Sequence, residues 1–445
     1  MRFLSTTAAT LLIAAASAFP AAAQGPVKFE MWYGLTGQLG ELTEETCKRF
    51  NKAQTMYEAV CVGQGGYDKA EQSTIAAYRA KKHPTLVQIY DAGTVNFMLS
   101  GAVKPAVDFA REYKVGIEWA NYVPGIASYY ATSKGEMWSF PFNSSSALMY
   151  WNKADWAKIG KTEAPKTFEE MEKDLRALKA AGHTCAFTFD FDTWQWLEQF
   201  SATHGIPVAT QNNGYDGLNT EMVFNKTRFV DHVKTYKRWL DDGLAKINTA
   251  QTGKTINQAF ADGSCASMLT SVANHGVVGS TAKPGLEWDV AMLPVYEGTQ
   301  RKNSLIGGAS MWVMDGKSKA EYEGAAAYLT FLLTPESEEW WSTVTGYIPI
   351  TKSGFKYLVD KGFYAKAPYK GREVAMAQLT ASEITPVTRG IRLGNFTSIR
   401  AEIRSELEAA FTGKKEIQVA LDEAAARSNQ ILRRFEQTFT GKKLP

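Results

Sequence analysis

"VKFEMWYGLTGQLGELTEETCKRFNKAQTMYEAVCVG", residues 27–63, decides the fold class. Val27, Phe29 and Met31 recur at every second position, the period of a strand with one covered face. From residue 38 the period lengthens, and Leu39, Leu42, Thr46 and Phe50 fall on one helical stripe. "YEAVCVG" (57–63) returns to a strand, "YDKAEQSTIAAYRAKK" (67–82) reads as a helix, and "TLVQIYD" (85–91) as a buried strand. "GTVNFMLSGA" (93–102) follows as a short helix. Alternating strands and helices predict an α/β fold with a mainly parallel sheet flanked by helices. Ligands of such sheets sit beyond the carboxyl ends of the strands. That rule puts "WYGLTG" (32–37), "GGYDK" (65–69) and "YDAG" (90–93) on the ligand side.

Upstream, "MRFLSTTAATLLIAAASAFPAAAQ" (1–24) has the parts of a secretory signal. Arg2 is the positive region, residues 8–19 form an apolar stretch too short to span a membrane, and Ala21-Ala22-Ala23 is a small-residue cleavage site. Cleavage is expected near Ala23, which makes the mature chain exported and soluble. About 420 of the 445 residues then remain, too many for one compact core, so two lobes are expected. Without Arg2, 48 Lys and Arg face 46 Asp and Glu, a net charge of +2 with no basic stripe, which argues against nucleic acid as a partner. Four cysteines in an oxidising compartment favour two disulfides, although three pairings are open. Cys47 lies on the first helix and Cys61 on the next strand, whereas Cys185 and Cys265 lie on strand-like runs of one lobe. The expected pairs are therefore Cys47–Cys61 and Cys185–Cys265.

Downstream, "PFNSSSALMYWNK" (141–153) places a polar Asn-Ser-Ser-Ser stretch before a strand. "TFEEMEKDLRALKAAG" (167–182) is a helix opened by a Thr167/Glu170 capping box, with Met171, Leu175 and Leu178 on one face. "TCAFTFD" (184–190) and "CASMLTS" (265–271) are strand-like. "LIGGASMWVM" (305–314) ends as a buried strand but begins with two glycines. Glycine in a strand marks a bulge, a bend or a close approach, here to packed protein or to a ligand. A helix stopped by Pro335 follows, and the C-terminal third is mostly helical, with Gly413 as a terminator. No linker separates the lobes, so the chain is expected to cross between them more than once.

The sequence lacks a phosphate-cradling loop ending in Gly-Lys-Ser/Thr, Gly-x-Gly-x-x-Gly, His-Glu-x-x-His and Gly-x-Ser-x-Gly. A metal site is not expected from five scattered histidines without Cys-x-x-Cys, and no cofactor is expected. A secreted hydrolase with two motif-free carboxylates stays open. What the loops do offer is hydroxyls at residues 144–146 and 270–271, open amides at Gly307-Gly308, and aromatics in "FDFDTWQW" (189–196), at least one of which belongs to the core. Arg400 reads equally as a surface partner of Glu406 or as a fork of donors for phosphate oxygens.

These residues bring a resemblance into view. "PFNSSSALMYWNK", "IGGASMWVM" (306–314), "TGYIPITK" (345–352), "GIRLGNFTSIR" (390–400), "FTGKK" (411–415) and "RSNQILRRFE" (427–436) make the chain similar to the extracytoplasmic solute-binding proteins of ABC importers, of the maltose-binding type. The resemblance implies a two-lobed periplasmic clamp (type II) that is no enzyme, acts as a monomer, and presents its closed form to a membrane permease driven by a cytoplasmic ATPase. It implies lobes of residues 24–143 with 309–346 and 144–308 with 347–445. It also implies a ligand, sn-glycerol-3-phosphate or a glycerophosphodiester such as glycerophosphocholine, and a ligand set of Tyr67, Asp91, Ser145, Trp194, Ser271, Gly308, Tyr347 and Arg400. Two positions depart from the family pattern: Asp91 stands where glutamate is expected, and Phe191 replaces one of two tryptophans. Arg404, one turn beyond Arg400, is expected on the surface and outside the site. A sugar-binding protein of the same fold is the rival reading.

Overall fold

The structure, a computed structural model, describes residues 25–445. The signal segment 1–23 and its cleavage near Ala23 lie outside the described residues. Two sheets organise the chain. The first has the order β2-β1-β3-β11-β4, with β5 also paired to β11. Its strands are β1 (Val27–Tyr33), β2 (Tyr57–Gly63), β3 (Leu86–Tyr90), β4 (Val103–Lys104), β5 (Phe140–Ser145) and β11 (Gly307–Met314). The second has the order β10-β6-β9-β7-β8, built from β6 (Ala147–Asn152), β7 (Phe187–Phe189), β8 (Ala245–Ile247), β9 (Ser267–Ser271) and β10 (Trp288–Ala291).

The alternation in residues 27–63 gives what it predicts: β1 pairs in parallel with β2 and with β3. The sheets as wholes are mixed. β11 runs antiparallel to β3, β4 and β5, and β6 runs antiparallel to β9 and β10. These are the strands at the chain's crossings, and a strand arriving from the other sheet takes its direction from the crossing rather than from a βαβ unit. The chain leaves the first sheet after Ser145, enters the second at Ala147, and returns at Gly307.

One core gathers Phe29, Met31, Phe50, Phe109 and Tyr328. A second gathers Phe187, Trp196, Tyr236 and Trp239 with Ile399, Ile403, Leu407 and Leu432 of the C-terminal helices Phe396–Phe411 and Ile417–Thr438. In the first helix, Gly37–Ala53, the buried face is Gly40, Thr43, Thr46, Cys47 and Phe50, so it is turned from the predicted stripe. Leu39 and Leu42 are only half-buried. The turn brings Cys47 onto β2, where it bonds Cys61. The second bridge joins Cys185 to Cys265. Both pairs are those expected from the sequence.

The capping box forms as predicted, with Glu170 N–H donating to Thr167 Oγ1 at 3.1 Å and Thr167 N–H to Glu170 Oε2 at 3.3 Å. Pro335, expected as a helix stop, opens the next helix, Pro335–Val344, where its missing N–H removes no bond. Gly413 ends the helix Phe396–Phe411 at φ +75°. Among the described residues no helix is long and apolar enough to cross a membrane.

Candidate functional site

The carboxyl end of β3 and the start of the helix Tyr67–Arg79 face the C-terminal helix Phe396–Phe411 and the end of β9 across a cleft of about 510 Å³. All eight residues named from the sequence line it: Tyr67, Asp91, Ser145, Trp194, Ser271, Gly308, Tyr347 and Arg400. Each is placed by a specific backbone event. Tyr67 opens the helix Tyr67–Arg79 after Gly66, whose φ of +144° favours glycine. Its ring stacks on Tyr90 with centroids 5.2 Å apart, and its hydroxyl accepts a hydrogen bond from Asn143 Nδ2 at 2.9 Å. Asn143 is oriented in turn by Gln88, which donates to its Oδ1 at 2.7 Å and accepts from Gly34 N–H at 2.9 Å. This chain leaves the Tyr67 proton free to be donated, and burial pushes the Tyr67 hydroxyl well above its ordinary pKa. Tyr347 stacks on Trp341 with rings 5° from parallel. Ser271 accepts Ala273 N–H at 3.1 Å, so its own proton also remains to donate.

The glycine pair of β11 has two jobs. A Cβ on Gly307 would lie 2.5 Å from the Trp194 ring, and the indole donates to the Ile306 carbonyl at 3.1 Å. Gly308, at φ +119°, would place a Cβ 1.9 Å from the Asn143 carbonyl. Its N–H, expected to be open to the ligand, donates to Asp91 Oδ2 at 3.3 Å. Close packing against protein is therefore a full reason for both glycines.

Arg400 is the centre of a buried triad. Its Nε and Nη2 donate to Glu198 Oε1 and Oε2, each at 2.7 Å, and Nη2 also donates to Asp91 Oδ1 at 2.7 Å. Glu406, the alternative surface partner, pairs with Lys415 and Arg427 instead. Two carboxylates thus share one guanidinium, an arrangement that accepts hydrogen bonds from hydroxyls more readily than it accepts a third anion. Burial pushes Glu198 up to about 7 and raises Asp91, with Arg400 acting against both shifts. The Asp91–Arg400 pair, together with Thr397 Oγ1 donating to Glu71 Oε2 at 3.0 Å, ties the first sheet to the helix Phe396–Phe411.

Glu198 escapes a reading by motif. The signal was there: a single charge inside the aromatic run "WQWLEQF" (194–200) is a buried ion in need of a partner. It lies in a π-helical turn, Trp194–Gln199. Asp190 and Asp192 were also missed. Both line the cleft, and burial together with Asp192 pushes Asp190 up to about 6.

Two expectations are corrected. Phe191 is no cleft residue: it turns into the second core against Phe411, with centroids 6.1 Å apart, because successive residues leaving β7 face opposite sides, so Phe191 keeps the side of Phe187 and Phe189 while Asp190 and Asp192 line the cleft. Arg404 is exposed as expected but lines the cleft, since residues four apart on a helix share a face. Trp196, by contrast, is the core aromatic of the loop, its Nε1 donating to the Asp190 carbonyl at 2.6 Å.

Two α/β sheets, multiple crossings and a polar cleft between them define a clamp-type binding protein. Comparison with known proteins agrees. Residues 45–364 match the bacterial extracellular solute-binding protein family. The chain is 36% identical over 436 residues to the sn-glycerol-3-phosphate-binding periplasmic protein UgpB of Yersinia pseudotuberculosis serotype I, covering 96% of this chain and 97% of that one. It is also 36% identical over 446 residues to UgpB of Escherichia coli O1:K1, covering 98% and 99%. Among solved structures, UgpB from Mycobacterium tuberculosis in complex with glycerophosphocholine superposes with a TM-score of 0.73 at 20% identity, over 93% of this chain and 99% of that one. The sugar-binding protein MalE from Xanthomonas citri gives 0.74 at 18% identity, over 94% and 100%. The chain belongs to the bacterial extracellular solute-binding proteins. Membership assigns it solute capture for an ABC importer and no chemical turnover.

Proposed function

We propose that this chain captures sn-glycerol-3-phosphate, or a glycerophosphodiester built on the same glycerol phosphate, and hands it to a membrane permease. The observation that carries the reading is the convergence of hydroxyls on one cleft: Tyr67, Ser271, Tyr347 and Ser145, whose Oγ donates to the Gly307 carbonyl at 3.3 Å, stand around the Asp91–Arg400–Glu198 triad. Carboxylates accept hydrogen bonds from the glycerol hydroxyls and repel phosphate oxygens, so the hydroxyl end belongs against the triad. The phosphate belongs among the neutral donors. The names of the curated relatives support the same ligand class.

The lobes in this reading are residues 24–143 with 309–346 and 144–308 with 347–445, boundaries close to the sheet crossings at Ser145–Ala147 and Gly307. Ligand contacts from both lobes favour the closed clamp over the open one, and the closed form is what the permease receives. The protein works as a monomer in the periplasm. Export predicts that N-terminal sequencing of the secreted protein begins near Gln24, whereas exported material that retains Met1 would exclude a cleaved signal.

Calorimetry of the mature protein against sn-glycerol-3-phosphate, glycerophosphocholine and maltose tests the ligand. Saturable binding of the first or second at micromolar or tighter affinity is the expected result, a free energy of about −8 kcal/mol. Binding of maltose alone would replace the reading with the sugar-binding rival. Turnover of a phosphodiester by the purified protein would revive the hydrolase.

A further inference from the structure

The buried arginines of this chain are compensated in different ways. Arg400 is held by two carboxylates. Arg392, 2% exposed, lies 4.1 Å from the centre of the Tyr215 ring, and its unpartnered Nε and Nη1 are sealed from solvent. Arg372 is 4% exposed and enters no ion pair among the described residues. Its Nε donates to His275 Nδ1 at 3.1 Å, its Nη1 donates to the Ser342 carbonyl at 2.6 Å, and its guanidinium stands 5.0 Å from the Tyr369 ring centre. His275 is fixed as an acceptor, because its Nε2 donates to the Lys370 carbonyl at 3.1 Å and burial lowers its pKa to about 3. All these partners are neutral. The positive charge is left without a counter-charge, and burial pulls the Arg372 pKa down.

The third nitrogen, Nη2, makes no hydrogen bond among the described residues, and it is not sealed as those of Arg392 are. Arg372 lines a groove of about 940 Å³ between β10, the helix His275–Thr281 and the end of the helix Pro335–Val344. The groove shares no lining residue with the cleft. Gly276 borders it: a Cβ there would come 3.6 Å from Nη2 and 2.6 Å from the Thr345 carbonyl, so the bare backbone leaves the approach clear as well as packing close. Lys153 and Lys370 also line the groove and are exposed. With Arg372 they face Glu287 and Asp289, so the groove is no general surface for polyanions. What it offers is one directed donor on an uncompensated cation. We propose that Arg372 Nη2 anchors a second anion site, separate from the cleft, that takes one compact oxyanion: a sulfate, phosphate or carboxylate group. The anion supplies the counter-charge that the fold withholds from Arg372, and the two lysines add attraction at longer range. The site does not depend on the glycerol-phosphate reading.

Calorimetry of the mature protein with sodium sulfate and, in parallel, sodium acetate tests the site, and anomalous scattering from selenate-soaked crystals locates it. Wild type should bind one anion at millimolar or tighter affinity, with a selenate peak within hydrogen-bond reach of Arg372 Nη2. Tighter binding of sulfate makes the occupant a tetrahedral oxyanion, and tighter binding of acetate makes it a carboxylate. Arg372→Gln should weaken binding about ten-fold or more, the effect of losing one charge-assisted bond. Because Arg372 is buried, a second variant leaves the core untouched: Lys153→Gln with Lys370→Gln should weaken binding several-fold without moving the thermal midpoint. No saturable binding of either anion overturns the site. So does a selenate peak in the cleft alone, or wild-type affinity in the folded Arg372→Gln protein or in the double lysine variant.

Discussion

Replacing Arg400 with alanine should lower the stability of the protein by about 3–5 kcal/mol and abolish measurable binding of glycerol-3-phosphate. The side chains of Arg400, Asp91 and Glu198 are exposed by only 10%, 5% and 1%. Removing the cation leaves two carboxylates in a low-dielectric cavity 2.7 Å from donors that no longer exist. Proton uptake limits the damage. Glu198, held near 7 even with Arg400 beside it, rises further in the variant and is protonated at neutral pH. The sign of the pH effect follows. A carboxyl whose folded pKa is raised above its unfolded value binds its proton more tightly when folded, so the stability it contributes is lost as pH rises through the folded value. Urea unfolding of Arg400→Ala at about pH 5 and pH 8 should therefore show a larger deficit against wild type at the higher pH. Arg400→Lys should restore charge but not the bidentate edge, and so should recover only part of both properties. An alanine variant with wild-type unfolding midpoints at both pH values would mean that the triad holds nothing together.

Loss of the Cys185–Cys265 bridge should destabilise the protein by about 4 kcal/mol, against about 3 kcal/mol for Cys47–Cys61. The difference comes from loop length: the first closes 80 residues and the second 14. The longer loop also carries Asp190, Asp192, Trp194 and the segment Thr255–Asn257, all on the cleft. A double Cys185→Ala, Cys265→Ala variant should thus lose ligand affinity as well as stability, whereas the equivalent pair of changes at Cys47 and Cys61 should chiefly affect stability. Denaturant unfolding of the two double variants, each without stray thiols, makes the comparison. Equal losses, or a larger loss at the shorter bridge, would contradict the chain-entropy account.

Much of this molecule was legible in its sequence, and the limits have a physical origin. Periodicity in residues 27–63 reads which face of an element is covered: it placed Phe29 and Met31 of β1 in the core, but for the helix that follows it found Thr46 and Phe50 and missed the turn that leaves Leu39 and Leu42 half-buried. It does not read partners. The direction of β11 against β3 depends on a crossing more than 200 residues away, and no local pattern encodes that. The eight cleft positions came from resemblance and converge, but the electrostatics around Arg400 did not come with them. Its partners Asp91 and Glu198 lie 309 and 202 residues away in the chain. Only their joint burial shows that its fork is filled. Arg404 was set outside the site because one helical turn looks like separation in sequence, when on a helix face it is adjacency. Phe191 was misplaced by the opposite error, since neighbours in an extended segment point apart.

The late arrival of β11 has a consequence for the order in which the chain becomes structured. Among the described residues β4 and β5 have no strand partner except β11, and β3 keeps an open edge until β11 fills it. A chain emerging from its amino terminus therefore carries an unfinished sheet until residue 314 is available. Up to that point its exposed edges and apolar faces make it a substrate for holding factors rather than a folded unit. The half-built molecule stays pliable for most of its synthesis, and the last strand of the first sheet sets the moment at which it locks.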